Sequence, residues 1–381
     1  MATHILTVNE TTFQTHLKYM FIGTGRDGFS YQNGALADIL SIREGDYIIF
    51  YVMNIGFFGI FKAIGNVFYD FNSYVGHHPQ YLDSELNSKT LTYRMKIQGY
   101  KVYKYSISEW DMMENPTNIK NQSIYNMQWS WIFKKLNGNR GCLSIDNYEF
   151  DLFEDILQQN NQIIPISNNY AYNNQCIEIL NNDTIYNRSC ISETPRDNDR
   201  LYRIEKEEDL RILFTAKAGI ENLLNQVLRP ESNGNINLIS NEILCSFSER
   251  KMDLLFGTDQ NKCILIELKN KFIFNENIYN QIKEYSRWIS AYKTHYISII
   301  PILIIREARI ISRRSNAERF KYLSDNNMQD NIVSPWYQDI LDQIDNAKND
   351  LINENIDKLE ELQVFIFSTD DNNQITSFEI V

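Results

Sequence analysis

The chain has few of the residues that build metal clusters or covalent cross-links. Its 381 residues include five His and five Cys, and no two cysteines form a Cys-x-x-Cys pair. The odd total and the scattered positions exclude an evident zinc site. The simplest interpretation is that Cys142, Cys176, Cys190, Cys245 and Cys263 are reduced thiols in the cytoplasm.

Long apolar runs are also absent. The longest, 296–305, has the length of a strand and is interrupted by Pro301, whereas a membrane helix needs about 18 apolar residues. The N-terminus has no basic stretch followed by an apolar one, so no signal peptide is predicted. The net charge of −12, from 37 basic and 49 acidic residues, argues against phosphate contacts over the whole surface but allows a local basic groove. We expect a soluble protein with no membrane contact.

The length favours two domains, and the pattern of residues differs between the two halves. Short β-branched and aromatic runs separated by Gly, Asn and Asp fill residues 18–110 and are typical of a small β-barrel with helices. Residues 158–190 are Asn-rich and aperiodic, which indicates a linker. We therefore predict a first domain over 1–157, a linker over 158–200 and a second domain over 201–381.

The second half alternates helices and strands, so the fold is α/β overall, with a mixed sheet in the second domain. Helices are predicted at 205–228, 275–292 and about 335–361, and strands at 236–247, 252–257, 262–268 and 296–305.

Two charged residues lie at the end of one apolar strand of this second domain. Glu267 and Lys269 follow the run 263-CILI-266 and share a face, because residues two apart on a strand point the same way. Asp253 begins the preceding strand, and Glu221 lies in an apolar helical run. Carboxylate oxygens are the ligands that Mg²⁺ prefers, so these residues predict a metal site. The alternative is an ordinary Glu–Lys ion pair on an exposed strand edge.

The order Glu221, Asp253 and 267-ELK-269 resembles the PD-(D/E)xK nuclease superfamily. The segment 281-QIKEY-285 matches the Q-x-x-x-Y helix motif of its RecB-like branch, and the resemblance extends over about residues 205–310. The paired segments 250–256 and 264–270 also resemble the archaeal and actinobacterial mismatch endonucleases.

The resemblance implies a PD-(D/E)xK fold and a role for each matching residue. Mg²⁺, with Mn²⁺ as a substitute, would be held by Glu221, Asp253, Glu267 and the carbonyl of Leu268. Lys269 would lie beside the attacking water, and Gln281 and Tyr285 near the substrate backbone. Glu207 and Glu208 compete with Glu221 for the position of the helix glutamate. For Tyr285, packing in the core is the alternative.

The first half resembles a different family. The segments 45-GDYIIFY-51, 93-YRMKI-97 and 129-WSWIFKKL-136 are similar to the EVE domain, a PUA-like fold related to YTH domains, over about residues 15–155. The resemblance implies a small barrel that accepts a flipped, often methylated, nucleobase in an aromatic pocket. Extruding a base costs a few kcal/mol, which stacking on aromatic rings offsets.

The candidates for that pocket are rings predicted on loops rather than on strands. They are Phe29, Tyr31, Trp110 and Trp129, with Asp27 or Asp70 to bond the base edge. Two groups of basic residues are candidates for phosphate contacts: Lys134, Lys135 and Arg140, and Arg306, Arg309, Arg313, Arg314, Arg319 and Lys321. For each of these residues, core packing or a solvated surface is the alternative.

Together the two resemblances favour a Mg²⁺-dependent endonuclease that cuts double-stranded, base-modified DNA. Two alternatives remain: an endonuclease directed by mismatched or branched DNA, and a non-catalytic reader of modified nucleic acid. Because one such site hydrolyses one strand at a time, double-strand cleavage would suggest a homodimer.

Overall fold

The computed structural model describes residues 1–25, 33–69, 91–109, 111, 141–159, 161–181, 186, 201–244, 250–308 and 335–381. The helices are α1 (Glu10–Tyr19), α2 (Asn33–Leu40), α3 (Asn147–Gln158), α4 (Glu207–Lys217), α5 (Asn222–Leu228), α6 (Pro230–Asn233), α7 (Glu276–Tyr292) and α8 (Pro335–Asn353). The strands of the first half are β1 (Thr3–Val8), β2 (Phe21–Thr24), β3 (Tyr47–Val52), β4 (Gly56–Tyr69), β5 (Tyr93–Gly99), β6 (Val102–Tyr103), β7 (Cys142–Ile145), β8 (Ile163–Ile164), β9 (Tyr170–Asn173) and β10 (Cys176–Ile179). Those of the second half are β11 (Ile236–Leu244), β12 (Lys251–Thr258), β13 (Lys262–Lys269), β14 (Ser298–Arg306), β15 (Gln363–Thr369) and β16 (Ile375–Ile380).

The first half is built on a curled sheet of six strands in the order β2-β5-β4-β3-β1-β7. Only β1 and β3 are parallel, and the other neighbours are antiparallel. The two outer strands approach each other, since a Cβ added at Gly141, directly before β7, would lie 3.2 Å from Thr24 Oγ1 on β2. Such an approach of the edges is expected for the barrel-like sheet that the short strands predict.

Part of the Asn-rich segment is packed structure. Tyr170 and Tyr172 of β9 and Ile177 of β10 are buried in the core of the first half. The Tyr172 ring contacts Phe13 of α1 and Phe58 of β4, with ring centroids 5.2 and 5.6 Å apart. The prediction of a linker is therefore wrong for residues 161–181. Asn173 is the last residue of β9, and Asn174 lies in the turn that leads to β10.

The second half is a mixed six-stranded sheet in the order β11-β12-β13-β14-β15-β16, as its alternating pattern predicts. Strands β11 to β13 form an antiparallel meander, β13 to β15 run parallel, and β16 returns antiparallel. The side chains of α4 and α5 share one buried cluster with Ile264, Ile266 and Ile302. Those of α7 and α8 share another with Leu303 and Ile305. Helices thus cover both faces, which explains why β14 is apolar at nearly every position.

The two sheets are joined by buried contacts. Ile5 and Phe153 of the first half lie in one core cluster with Leu255 and Trp288 of the second. Elsewhere α2 packs on α4 and on β11. The buried Asn241 Nδ2 of β11 donates to Asp38 Oδ1 of α2 at 2.8 Å. The halves therefore share hydrophobic surface rather than being tethered by a chain alone.

A buried ionic cluster crosses the same interface. The ammonium of Lys293, which follows α7, lies 2.8 Å from Asp146 Oδ2 and 2.8 Å from Glu149 Oε1, and all three side chains are at most 6% exposed. Asp146 and Glu149 also form the capping box of α3. Burial alone would raise the pKa of Asp146, but Lys293 and His295 hold that pKa below its usual value. This cluster fastens α3 of the first half to the end of α7.

No helix in the described part of the chain is long and apolar enough to cross a membrane.

Candidate functional site

The structure brings Asp253, Glu267 and Lys269 together at the end of the β12–β13 pair. The antiparallel register pairs Leu254 with Ile266, which puts Asp253 opposite Glu267 on one face of the sheet. Asp253 Oδ2 accepts a 2.9 Å hydrogen bond from the backbone N–H of Leu268. The predicted grouping of these three side chains therefore matches the geometry of the sheet.

Lys269 lies between two oxygen atoms of this group. Its Nζ donates to Glu267 Oε1 at 2.7 Å and to the Leu268 carbonyl at 2.8 Å. Glu267 is 2% exposed, and its second oxygen, Oε2, is buried with no hydrogen-bond partner. A buried carboxylate oxygen without a partner is costly, and the Asp253 carboxyl is the neighbouring group that can share a proton with Glu267.

The electrostatics of the site follow from burial and crowded charge. Burial raises the pKa of Glu267 to about 8, and the negative charges of Asp253 and Glu207 act in the same direction, against Lys269. Burial also raises the pKa of Asp253, despite Lys269 and the Leu268 N–H. Burial alone would lower the pKa of Lys269, but Glu267 and Asp253 raise it above its usual value. Acids with raised pKa values beside a cation are typical of functional sites.

Glu207, rather than Glu221, is the helix glutamate that contacts Lys269. It is the first residue of α4, and its Oε1 lies 3.8 Å from Lys269 Nζ. Burial raises the pKa of Glu207; Lys269 lowers that pKa, and Asp253 raises it further. Its carboxylate suits the helix N-terminus, where negative charge is stabilised by the helix dipole.

Glu221 lies away from this group because the predicted helix over 205–228 is two helices. Helix α4 ends at Lys217, and Gly219 at φ +75° turns the chain before α5 begins at Asn222. Eleven helical residues separate the start of α4 from this turn by about 15 Å. Glu221 instead accepts a 2.7 Å hydrogen bond from the hydroxyl of Tyr202. Burial, with this carboxylate, raises the pKa of Tyr202 to about 12.

The donor set suits a hard cation held by few protein ligands. Among the described residues, no three His, Cys, Asp or Glu side chains are spaced to hold a metal ion. Asp253, Glu267 and the Leu268 carbonyl nevertheless supply oxygen donors at one point. Mg²⁺ is commonly held by one or two carboxylates and completes its shell with water and substrate phosphate. The residues present therefore fit Mg²⁺.

The two residues of the helix motif differ in exposure. Gln281 is half-buried on α7. Tyr285 is fully buried, and its hydroxyl donates to the carbonyl of Lys251 at 2.8 Å. A side chain in that position cannot touch a substrate without leaving the core. Tyr285 instead fixes the start of β12, two residues before Asp253, and the prediction of a substrate contact does not hold for it in this structure.

Arg306 is engaged by the protein itself. Its Nη2 donates to Thr369 Oγ1 and Asn373 Oδ1, both at 2.8 Å. A weaker contact of 3.3 Å joins Nη1 to the side chain of Asn270, whose amide in turn bonds the carbonyl of Glu205. Through Asn270, Arg306 thus contacts the segment that precedes α4. Its guanidinium is engaged by protein side chains, so it is not the phosphate contact that the sequence suggested.

The predicted base pocket lies outside the described residues. Its predicted residues are Phe29, Tyr31, Trp110 and Trp129, with Asp27 and Asp70. The following predicted phosphate contacts also lie outside the described residues: Lys134, Lys135, Arg140, Arg309, Arg313, Arg314, Arg319 and Lys321.

A cation–aromatic cluster that sequence reasoning missed lies on the first sheet. Arg94 of β5 is fully buried, with its guanidinium carbon 5.1 Å from the centre of the Phe21 ring and 5.9 Å from that of Tyr186. Its Nη1 also donates to the Tyr186 hydroxyl at 2.8 Å. The alternation of β5 does not mark Arg94, because Lys96 shares its face and is exposed. Tyr186 brings a further part of the Asn-rich segment onto the first half.

Comparison with known proteins gives limited similarity. No protein-family model matches the chain, and no curated protein matches it. Human THYN1, solved with 5-methylcytosine-containing DNA, aligns at a TM-score of 0.28 and 12% identity over 42% of this chain and 99% of its own. A hypothetical protein from Leishmania major aligns at 0.28 and 11% over 42% and 96%, and a Pseudomonas syringae protein at 0.27 and 12% over 41% and 99%. TM-scores this low do not establish a shared fold.

Proposed function

We propose that the chain is a Mg²⁺-dependent DNA endonuclease whose first half binds a flipped modified base and whose second half hydrolyses a nearby phosphodiester. The observation that supports the nuclease most is the convergence of Asp253, Glu267, Lys269 and the Leu268 carbonyl on one point, with Glu207 above them. An ordinary ion pair on an exposed strand edge would not bury its glutamate, whereas Glu267 is 2% exposed.

Each residue has a role that follows from its position. Asp253, Glu267 and the Leu268 carbonyl would hold Mg²⁺, which supplies charge neutralisation at the phosphate and a more acidic water. Lys269, whose ammonium lies between Glu267 and Glu207, would orient the attacking water. Glu207, the most exposed acid of the group with a side chain 41% exposed, would contact water that enters the site from solvent.

The base-reading half of the proposal rests on the resemblance of residues 15–155 to the EVE domain. The curled sheet of the first half is compatible with such a domain. Because THYN1 was solved with 5-methylcytosine-containing DNA, 5-methylcytosine is the first modified base to test.

The experiment compares cleavage of four matched duplexes in Mg²⁺: unmodified DNA and DNA with 5-methylcytosine, 5-hydroxymethylcytosine or N6-methyladenine. We expect cutting of at least one modified duplex and little cutting of the unmodified one. Equal cutting of all four would reject base reading and favour an endonuclease directed by DNA structure. Selective binding without any cutting would favour a non-catalytic reader.

Two variants test the catalytic assignment. Asp253→Ala and Lys269→Ala should abolish cutting but keep binding of the modified duplex, because neither lies in the first half. A matched control is Lys283→Ala on α7. The ammonium of Lys283 lies 3.0 Å from Glu354 rather than at the proposed site. Full cleavage by the Asp253 variant would show that the proposed site is not the nuclease centre.

A further inference from the structure

Lys269 has a second role that its contacts reveal, beyond orienting water. We propose that its ammonium is a built-in counter-cation, which occupies the cation position when no metal is bound and is displaced when Mg²⁺ or Mn²⁺ arrives. This inference rests on the proposed metal site of the nuclease.

The contacts of Lys269 are those expected of an ion at this position. Its Nζ lies 2.7 Å from Glu267 Oε1, 2.8 Å from the Leu268 carbonyl and 3.8 Å from Glu207 Oε1. Two of these oxygens are ligands assigned above to the metal. A metal ion bound to both Glu267 and the Leu268 carbonyl, with oxygen ligands at about 2.0–2.1 Å, would lie close to the present position of the ammonium. The two positive charges cannot both be held there at once.

Burial explains why the site needs such a counter-cation. The Glu267 side chain is 3% exposed, and that of Lys269 is 19% exposed. A buried polar group left without a hydrogen-bond partner is costly, so the empty site is stabilised by keeping the ammonium in contact with Glu267 and the Leu268 carbonyl. Lysine suits this purpose because its four-carbon stem lets the ammonium move while the backbone stays fixed.

The partly exposed Glu207 offers the displaced ammonium a second position. Lys269 is the last residue of β13, and Glu207 on the solvent side has a side chain 41% exposed. Displacement from Glu267 would leave the ammonium near Glu207 and more open to solvent. Metal binding therefore has to break two hydrogen bonds of Lys269, and the affinity for metal is lower than the oxygens alone would give.

The first test measures the accessibility of Lys269 in the full chain. Lysine side chains are labelled by brief reductive methylation with and without saturating Mn²⁺, and labelling at each lysine is measured by mass spectrometry. We expect Mn²⁺ to increase the labelling of Lys269 several-fold. Lys293, whose side chain is 1% exposed, is the internal control and should stay unlabelled. Unchanged or reduced labelling of Lys269 while Mn²⁺ is bound would overturn the proposal.

The second test measures Mn²⁺ binding directly by calorimetry, without DNA. Lys269→Met should bind Mn²⁺ about tenfold more tightly or better, the equilibrium equivalent of one hydrogen bond between charged groups, although it should not cut DNA. Equal or weaker binding by Lys269→Met would refute displacement. Asp253→Asn should lose binding in both backgrounds. If neither the natural chain nor Lys269→Met binds Mn²⁺, the metal site of the proposed function fails together with this inference, whereas binding without lysine displacement refutes this inference alone.

Discussion

Replacing Lys293 by Met should be among the most damaging single changes in this protein. The substitution keeps an apolar stem in the same space but removes a 1% exposed ammonium that lies 2.8 Å from each of two carboxylates. Asp146 retains a 3.2 Å contact with His295, but Glu149 loses its cation. Removing one partner of a buried ion pair costs about 3–5 kcal/mol. That is a large part of the 5–15 kcal/mol by which folded proteins are typically stable.

The free energy of unfolding at pH 7 can be measured by urea denaturation followed by tryptophan fluorescence. Lys283→Met is the control, because Lys283 and Glu354 are only part-buried and Glu354 keeps its contact with Arg287 after the change. Ion pairs near the surface contribute about 0–1 kcal/mol. Adding Asp146→Asn and Glu149→Gln to Lys293→Met should recover much of the loss, since Asn and Gln still serve the capping box. If Lys293→Met costs no more than the control, or the triple variant is no more stable than the single, the cluster is not fastening the two halves.

Three further predictions concern the candidate site. Glu207→Gln should lower the rate of cleavage while Glu221→Gln leaves it unchanged, because only Glu207 contacts Lys269. A cleavage assay in which Glu221→Gln is impaired and Glu207→Gln is not would make Glu221 the helix glutamate of the site. The pKa of Glu267 is about 8 in the folded state and near 4.3 for an ordinary glutamate, so the free energy of unfolding falls as pH rises between these values. Glu267→Gln should reduce this fall in urea titrations at pH 5 to 9. An unchanged pH dependence would contradict the raised pKa of Glu267. Tyr285→Phe should cost about 1 kcal/mol of stability by leaving the carbonyl of Lys251 without its donor, but should not change DNA binding; lost binding at full stability would make Tyr285 a substrate contact.

The second sheet could be predicted closely because its apolar runs are long and its charges are few. The predicted strands at 252–257 and 262–268 are observed at Lys251–Thr258 and Lys262–Lys269, and the helix at 275–292 is observed as Glu276–Tyr292. A meander of two such strands brings residues fourteen apart to one edge. That is why Asp253 and Glu267 could be grouped from spacing alone.

The helix glutamate could not be predicted in the same way. The apolar period continues through 205–228, and the break depends on the positive φ of Gly219, which periodicity does not reveal. The first half was harder still. Asn-rich composition hid the buried rings of Tyr170 and Tyr172, because polar residues between them mask the alternation on which strand prediction depends. The Lys293 cluster joins residues 147 positions apart, and no local pattern links them.

The shared core between the sheets limits how this protein can be divided or recombined. A cut after the Asn-rich segment would expose Leu255, Trp288 and the other buried residues of the joint cluster, and would leave Lys293 with neither carboxylate. Each half would need new surface residues before it could be expressed alone. Exchanging one half for that of another protein would require matching α3 and α7 as a complementary pair, so the chain is expected to diversify as one unit rather than as interchangeable cassettes.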